Sequence, residues 1–189
     1  MTNSALIFDG PLARLSLQPM ATPVQHFTLN ETRKHFRLDA PYQRGSVWDD
    51  DRRRNLMRSL LLGLPVGSII LNDTRNHHRD DYIVVIDGKQ RIEAVRAFVD
   101  DELAIPATWI PAEHVEQTVD VDGWPVPGIL YSGMTLAYRR KFNSLSLPSI
   151  VANLDTVEQE AELFRLINAG GVEQTPETMA RAADIEAGR

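Results

Sequence analysis

No ten residues constrain this chain more than Tyr82–Arg91. The apolar, β-branched run Ile83, Val84, Val85, Ile86 stops at Asp87-Gly88, and Lys89, Gln90 and Arg91 then open a pattern with Ile92, Val95, Phe98 and Val99 on one face. That spacing predicts a buried strand, a tight turn and a helix over Gln90–Asp101. The first amides of a helix have no intrahelical partner and sit at the positive end of its dipole, so an anion is favoured there. Two cations added to such a turn make a phosphate cradle. Arg91 can meet phosphate oxygens in bidentate fashion, while Lys89 and the backbone from Gly88 to Gln90 hold a neighbouring phosphate. Asp87 can take Mg²⁺ or accept a proton, and Gln90 can orient an attacking water or hydroxyl. Gln43 and Arg44 can supply a second wall. The bland alternative stays open: Asp87 simply caps the helix, and Arg91 pairs with Glu93, Asp87 or Glu102 on the surface.

The 189 residues contain no cysteine, which excludes a disulfide framework, a thiol nucleophile and cysteine-ligated zinc, and suits a reducing cytoplasm. Met1–Gln18 has no basic stretch followed by an apolar core, and the longest apolar stretch, Leu60–Leu71, is broken by Gly63, Pro65, Gly67 and Ser68. Neither a signal peptide nor a membrane span is expected. The net charge of −6 argues against indiscriminate DNA binding by the whole surface. Residues 155–189 hold eight acids against three arginines, so nearly all the excess lies there. Before them stand two basic clusters, Arg52-Arg53-Arg54 with Arg58 and Arg139-Arg140-Lys141. They are either solvated helix faces or patches for nucleic-acid backbone. His77-His78 lies in a charged turn without a carboxylate at metal spacing, and His26, His35 and His114 are isolated.

Periodicity predicts a mixed α/β chain. Met1–Gln25 is weakly patterned and is expected to be a loosely held arm or edge, followed by a short strand and turn over Phe27–Asp39. Asp49 or Asp50 can cap a helix running to about Leu62, with Leu56, Met57, Leu60 and Leu61 inward. Further strands are expected at Gly67–Leu71 and Leu147–Leu154, extended chain at Leu103–Ile110, and a hairpin-type turn at Asp122-Gly123. A basic helix is expected within residues 133–145. Thr156-x-x-Gln159 has capping-box spacing before a helix through Leu163, Phe164 and Ile167 that Gly170-Gly171 ends. Thr175-Pro176 starts a last helix to about Ala187.

Three segments together, Pro41-Tyr42-Gln43-Arg44 with Trp48 downstream, Ile86-Asp87-Gly88-Lys89-Gln90-Arg91, and Leu163–Gly171, resemble the DUF262 family. This is the N-terminal domain of GmrSD-type modification-dependent restriction enzymes, with a fold of ParB/sulfiredoxin type. The resemblance covers about Phe27–Ala183. It departs at Lys89, where the family pattern has glutamine. The resemblance implies an N-terminal arm (1–26), a ParB/sulfiredoxin-like core (27–154) and an acidic helical C-terminal segment of the same domain (155–189). It also implies binding of a nucleoside triphosphate (ATP, GTP or CTP) with Mg²⁺, and phosphoryl transfer to water or to a hydroxyl of DNA or a small metabolite. Tyr42, Gln43, Arg44, Gly88, Lys89 and Asn168 would then bind the nucleotide; Asp87, Gln90 and Arg91 would be catalytic, with Asp87 on the metal. DNA, modified DNA in particular, and a separate nuclease or modification enzyme are the partners implied, Arg52–Arg54 and Arg139–Lys141 being the DNA contacts. No HNH nuclease cluster is present in these residues, so DNA cutting by this chain alone is not expected. A non-catalytic DNA- or partner-binding module is the alternative, favoured by Lys89.

Overall fold

The run that ends at Asp87 becomes an interior strand of a mixed five-stranded sheet. The structure, a computed structural model, describes residues 12, 15–43, 45, 47–74 and 82–169. In chain order these form β1 (Leu17–Pro23), α1 (Val24–Thr28), α2 (Asn30–Arg33), β2 (Phe36–Arg37), α3 (Asp50–Leu61), β3 (Ile69–Asp73), β4 (Ile83–Asp87), α4 (Lys89–Val99), β5 (Ile105–Pro106), β6 (Gly128–Ile129), α5 (Leu136–Ser144), β7 (Ser146–Ala152) and α6 (Val157–Ala169). The sheet order is β1-β7-β3-β4-β2, with β1/β7 and β3/β4 antiparallel and β7/β3 and β4/β2 parallel. β5 and β6 form a separate two-stranded ribbon.

Alternation along the strands divides the core between the two faces. Ile69, Leu71 and Val85 face the larger cluster, where Phe27, Met57, Leu60, Ile92, Val95, Phe98 and Phe142 bring in α1, α3, α4 and α5. Ile70 and Ile86 face the opposite side, where Ala152, Leu154 and Leu163 of α6 close a smaller cluster. Helices thus cover both faces, which makes this a mixed α/β fold as the periodicity indicated. No helix among the described residues is long and apolar enough to cross a membrane.

Local chemistry sets the helix starts. The Asp49 carboxylate accepts from the Arg52 amide at 2.8 Å to cap α3, and Thr135 Oγ1 accepts from the Tyr138 amide to cap α5. The capping box of α6 forms in both directions: Thr156 Oγ1 accepts from the Gln159 amide, and Gln159 Oε1 accepts from the Thr156 amide.

Elsewhere the structure departs from the periodicity. Phe27–Asp39 is not a strand and turn; α1 and α2 occupy its first part, and only Phe36–Arg37 is strand. Val24 and Phe27 are one helical turn apart and both fully buried, a pairing too short to register as a period. Leu17–Pro23, within the expected arm, is an edge strand, which tolerates Pro19 and leaves Leu17 and Met20 about half exposed. Of Leu103–Ile110 only Ile105–Pro106 pairs, because Ala107–Trp109 turns as one 3₁₀ coil. Gly123 makes the expected turn with a φ of 76°, but its flanks join only through a Val119–Gly128 bridge. The expected Gly170-Gly171 stop, the Thr175–Ala187 helix and His77-His78 lie outside the described residues.

Candidate functional site

The end of β4 is bent before it reaches the helix. Leu71 faces Val85 and Ile70 faces Asp87, so the register shifts there and Ile86 has no residue of its own opposite. Such bulges re-aim the chain and recur beside binding sites. Gly88 follows in the left-handed region (φ 98°, ψ 8°) as the N-cap of α4, and no side chain caps that helix. Asp87 is therefore not the helix cap. The first turn of α4 has no acid and instead carries Lys89 and Arg91, the reverse of what the helix dipole favours in isolation.

Around this turn lies a pocket of about 390 Å³ walled by three segments. Asp87–Arg91 forms one wall; Gln43, Gly45, Val47, Trp48 and Arg52 form the second; Phe164 and Asn168 of α6 form the third. Each wall is fixed by side-chain hydrogen bonds over long sequence distances. Gln43 Nε2 donates to the Val85 and Ile86 carbonyls at 2.6 and 2.9 Å, gripping the bulge. Gln90 Oε1 accepts from the Val47 and Trp48 amides, both at 3.1 Å, and so pins the second wall to α4. Arg91 Nη2 donates to the Asp87 carboxylate and to the Ser68 carbonyl. Lys89 Nζ stands 3.9 Å from the Glu93 carboxylate, at the outer limit of an ion pair. Gln43 Oε1 and Arg91 Nε are buried without a hydrogen-bond partner among the described residues. A wall holding an orphan donor and an orphan acceptor suits a polar occupant.

The structure thus brings together Gln43, Asp87, Gly88, Lys89, Gln90, Arg91, Asn168 and Arg52. Tyr42 stands behind the pocket, its ring 5.4 Å from that of Phe164 and its hydroxyl 3.4 Å from Glu160 Oε2. Arg44 lies outside the described residues. The Asn168 amide donates to the Phe164 carbonyl one turn back.

The basic clusters are dispersed. Arg54 turns inward, bonding the Ala104 carbonyl and the Asp50 and Asp51 carboxylates, and Arg53 pairs with Asp50. Arg139 is half-buried with its guanidinium over Tyr131, Lys141 stands over Tyr138, and none of Arg139, Arg140 and Lys141 lines the pocket.

Two residues that the sequence reading passed over tie the third wall down. Glu160 and Asn72 are both buried, and Asn72 Nδ2 donates to Glu160 Oε1 at 2.8 Å and to the Leu154 carbonyl at 3.0 Å. The signal was present: Glu160 shares a helical stripe with Leu163 and Ile167, and Asn72 directly follows the apolar run Ile69–Leu71.

As a phosphate site the turn fits, with uncapped amides, Lys89 and Arg52 as donors. As a metal site it is thin. No group of three His, Asp or Glu side chains able to hold a metal ion exists among the described residues, and the lone pocket carboxylate, Asp87, already faces Arg91. Mg²⁺ characteristically binds through one or two carboxylates plus substrate phosphates and water, and only that arrangement is compatible here.

No curated protein matches the chain. Residues 25–183 match the family model described as the N-terminal domain of the GmrSD restriction endonuclease. Every described wall of the pocket lies inside that span, and the chain belongs to the GmrSD N-terminal domain family.

Proposed function

We propose that this domain binds a nucleoside triphosphate at the β4–α4 turn and moves its terminal phosphoryl group, as a module of a restriction system that acts on DNA, modified DNA in particular. The observation that carries the reading is the uncapped start of α4, where Gly88, Lys89 and Arg91 edge a polar pocket. Lys89 and Arg52 would meet phosphate oxygens, and Arg91 would hold Asp87 in place. Phosphoryl transfer asks mainly for positioning and charge neutralisation, and Mg²⁺ carried by the phosphates would supply part of the latter. The acceptor is water in an NTPase and a hydroxyl in a kinase, and in either case Asp87, the pocket's carboxylate, would take its proton. A nuclease partner is implied for any DNA cleavage.

The test is a thermal-shift panel with ATP, GTP and CTP, followed by γ-phosphate labelling. Nucleotide at about 100 times its dissociation constant should stabilise the fold by roughly 2.7 kcal/mol. Lys89→Ala should remove most of that shift. Label should then appear in free phosphate or in DNA; a panel with no stabilisation by any nucleotide overturns the proposal.

One observation favours the non-catalytic binding module. The side chains expected to work on substrate, Gln90 and Arg91, are engaged by the Val47 and Trp48 amides and by Asp87 and Ser68. That reading predicts nucleotide stabilisation without release or transfer of label.

A further inference from the structure

Among the described residues, Lys89, Arg91 and Arg52 are the cations that line the pocket, and two of them are already engaged. Arg91 donates to the Asp87 carboxylate and the Ser68 carbonyl, and Lys89 stands 3.9 Å from the Glu93 carboxylate. The Arg52 guanidinium, by contrast, has no ion pair and no hydrogen bond among the described residues. The acids around it are occupied elsewhere: Asp49 accepts from the Arg52 backbone amide, and Asp50 and Asp51 pair with Arg53 and Arg54. What Arg52 has is a platform. Its guanidinium carbon lies 5.0 Å from the centroid of the Trp48 ring, an attractive cation–π distance, and the Trp48 amide donates to Gln90 Oε1 at the start of α4. Contacts running from α4 through Trp48 to Arg52 thus register an unneutralised fork against the phosphate turn. Arg54 and Arg58 of the same helix also stand over indoles, 4.9 Å from Trp124 and 5.6 Å from Trp109, but neither lines this pocket.

We propose that Arg52 is a catalytic arginine, contacting the terminal phosphoryl group in the transition state, while Lys89 and the α4 amides hold the nucleotide in the ground state. The inference rests on the phosphoryl-transfer reading above. In that step the acceptor oxygen bonds to the γ-phosphorus as the bond from that phosphorus to the β,γ-bridging oxygen breaks. The electron pair of the broken bond stays on the diphosphate, and the acceptor's proton passes to Asp87 and on to solvent. Charge is redistributed over the transferred group and the bridging oxygen, and a donor fixed beforehand stabilises it without reorganising. A guanidinium suits this task better than an ammonium, because it is planar, meets two phosphate oxygens at once and stacks on an aromatic face. The division of labour follows from the neighbours. Lys89 belongs to the turn that carries the uncapped amides, whereas Arg52 comes from a second wall and is held by no carboxylate that a phosphate would have to displace.

Turnover of γ-labelled nucleotide by the whole chain, with and without DNA, tests this role. Arg52→Ala, at an exposed position, should leave the circular dichroism spectrum unchanged and lower kcat about a hundredfold. KM should change by less than about threefold, the mark of a contact made chiefly in the transition state. Arg52→Lys should not restore the rate. Trp48→Leu should lower kcat in the same direction, and adding Arg52→Ala to it should cost little more, since the platform and the fork act as one unit. Arg58→Ala, outside the pocket, should leave turnover unchanged. A raised KM with unchanged kcat, or full rescue by lysine, overturns the role. Wild-type protein that is stabilised by nucleotide yet neither releases nor transfers label sinks the phosphoryl-transfer reading and this role with it. Wild-type turnover that survives Arg52→Ala sinks this role alone.

Discussion

Gly88 is the residue with least freedom to change. Its φ of 98° is one that side chains with a Cβ rarely adopt, and a Cβ there would stand 2.9 Å from Ile69 Cγ1 and 3.2 Å from Arg91 Nη2. Gly88→Ala is expected to cost about 1–3 kcal/mol in urea unfolding and to weaken nucleotide stabilisation, because the β4–α4 turn and Arg91 must both shift. The glycine, and the cations after it, were legible in the sequence because turn chemistry is local. What Gln43, Gln90 and Arg91 bond to was not. The partners of Gln43 and Gln90 lie 42 or 43 positions away, and Ser68 lies 23 residues from Arg91, so no local pattern encodes them.

Among elements, α6 is the pocket wall with the smallest apolar anchor and a buried acid in its place. Glu160→Ala would take away one of the two acceptors of the buried Asn72 amide, leaving the Leu154 carbonyl, and a loss of about 1–3 kcal/mol is expected. Glu160→Gln keeps an amide oxygen that can accept the same bond and should cost clearly less; equal losses would show that size rather than hydrogen bonding matters. The long helices α3, α4, α5 and α6 and the strands β3, β4 and β7 were legible, since each repeats its apolar period several times or bounds a β-branched run. α1 and α2, of 5 and 4 residues, are shorter than any period that could announce them, and tertiary burial of Phe27 decides their conformation.

For the molecule as a whole, the alkaline side is its predicted weakness. Burial pushes the phenols of Tyr131 and Tyr138 above the ordinary tyrosine value, Tyr131 packing edge-on against Phe98 and Phe142 in the larger core. A raised folded value means that the neutral phenols support the fold fully below the unfolded tyrosine value. That support is lost as pH rises through the folded values. Melting temperature should therefore fall as pH climbs past the ordinary tyrosine range, and less so in Tyr131→Phe. Sheet order was beyond reach of the sequence, because nothing in the β3 or β7 runs states that two strands so distant in the chain lie side by side. One consequence follows from the shortness of β2, which reaches only Ile83 and Val84 of β4. Past that point a single carboxamide, that of Gln43, finishes the margin that a longer strand would have covered. With leucine in its place, two carbonyls of buried residues would lose their donor, and the bend beside the pocket would lose its brace.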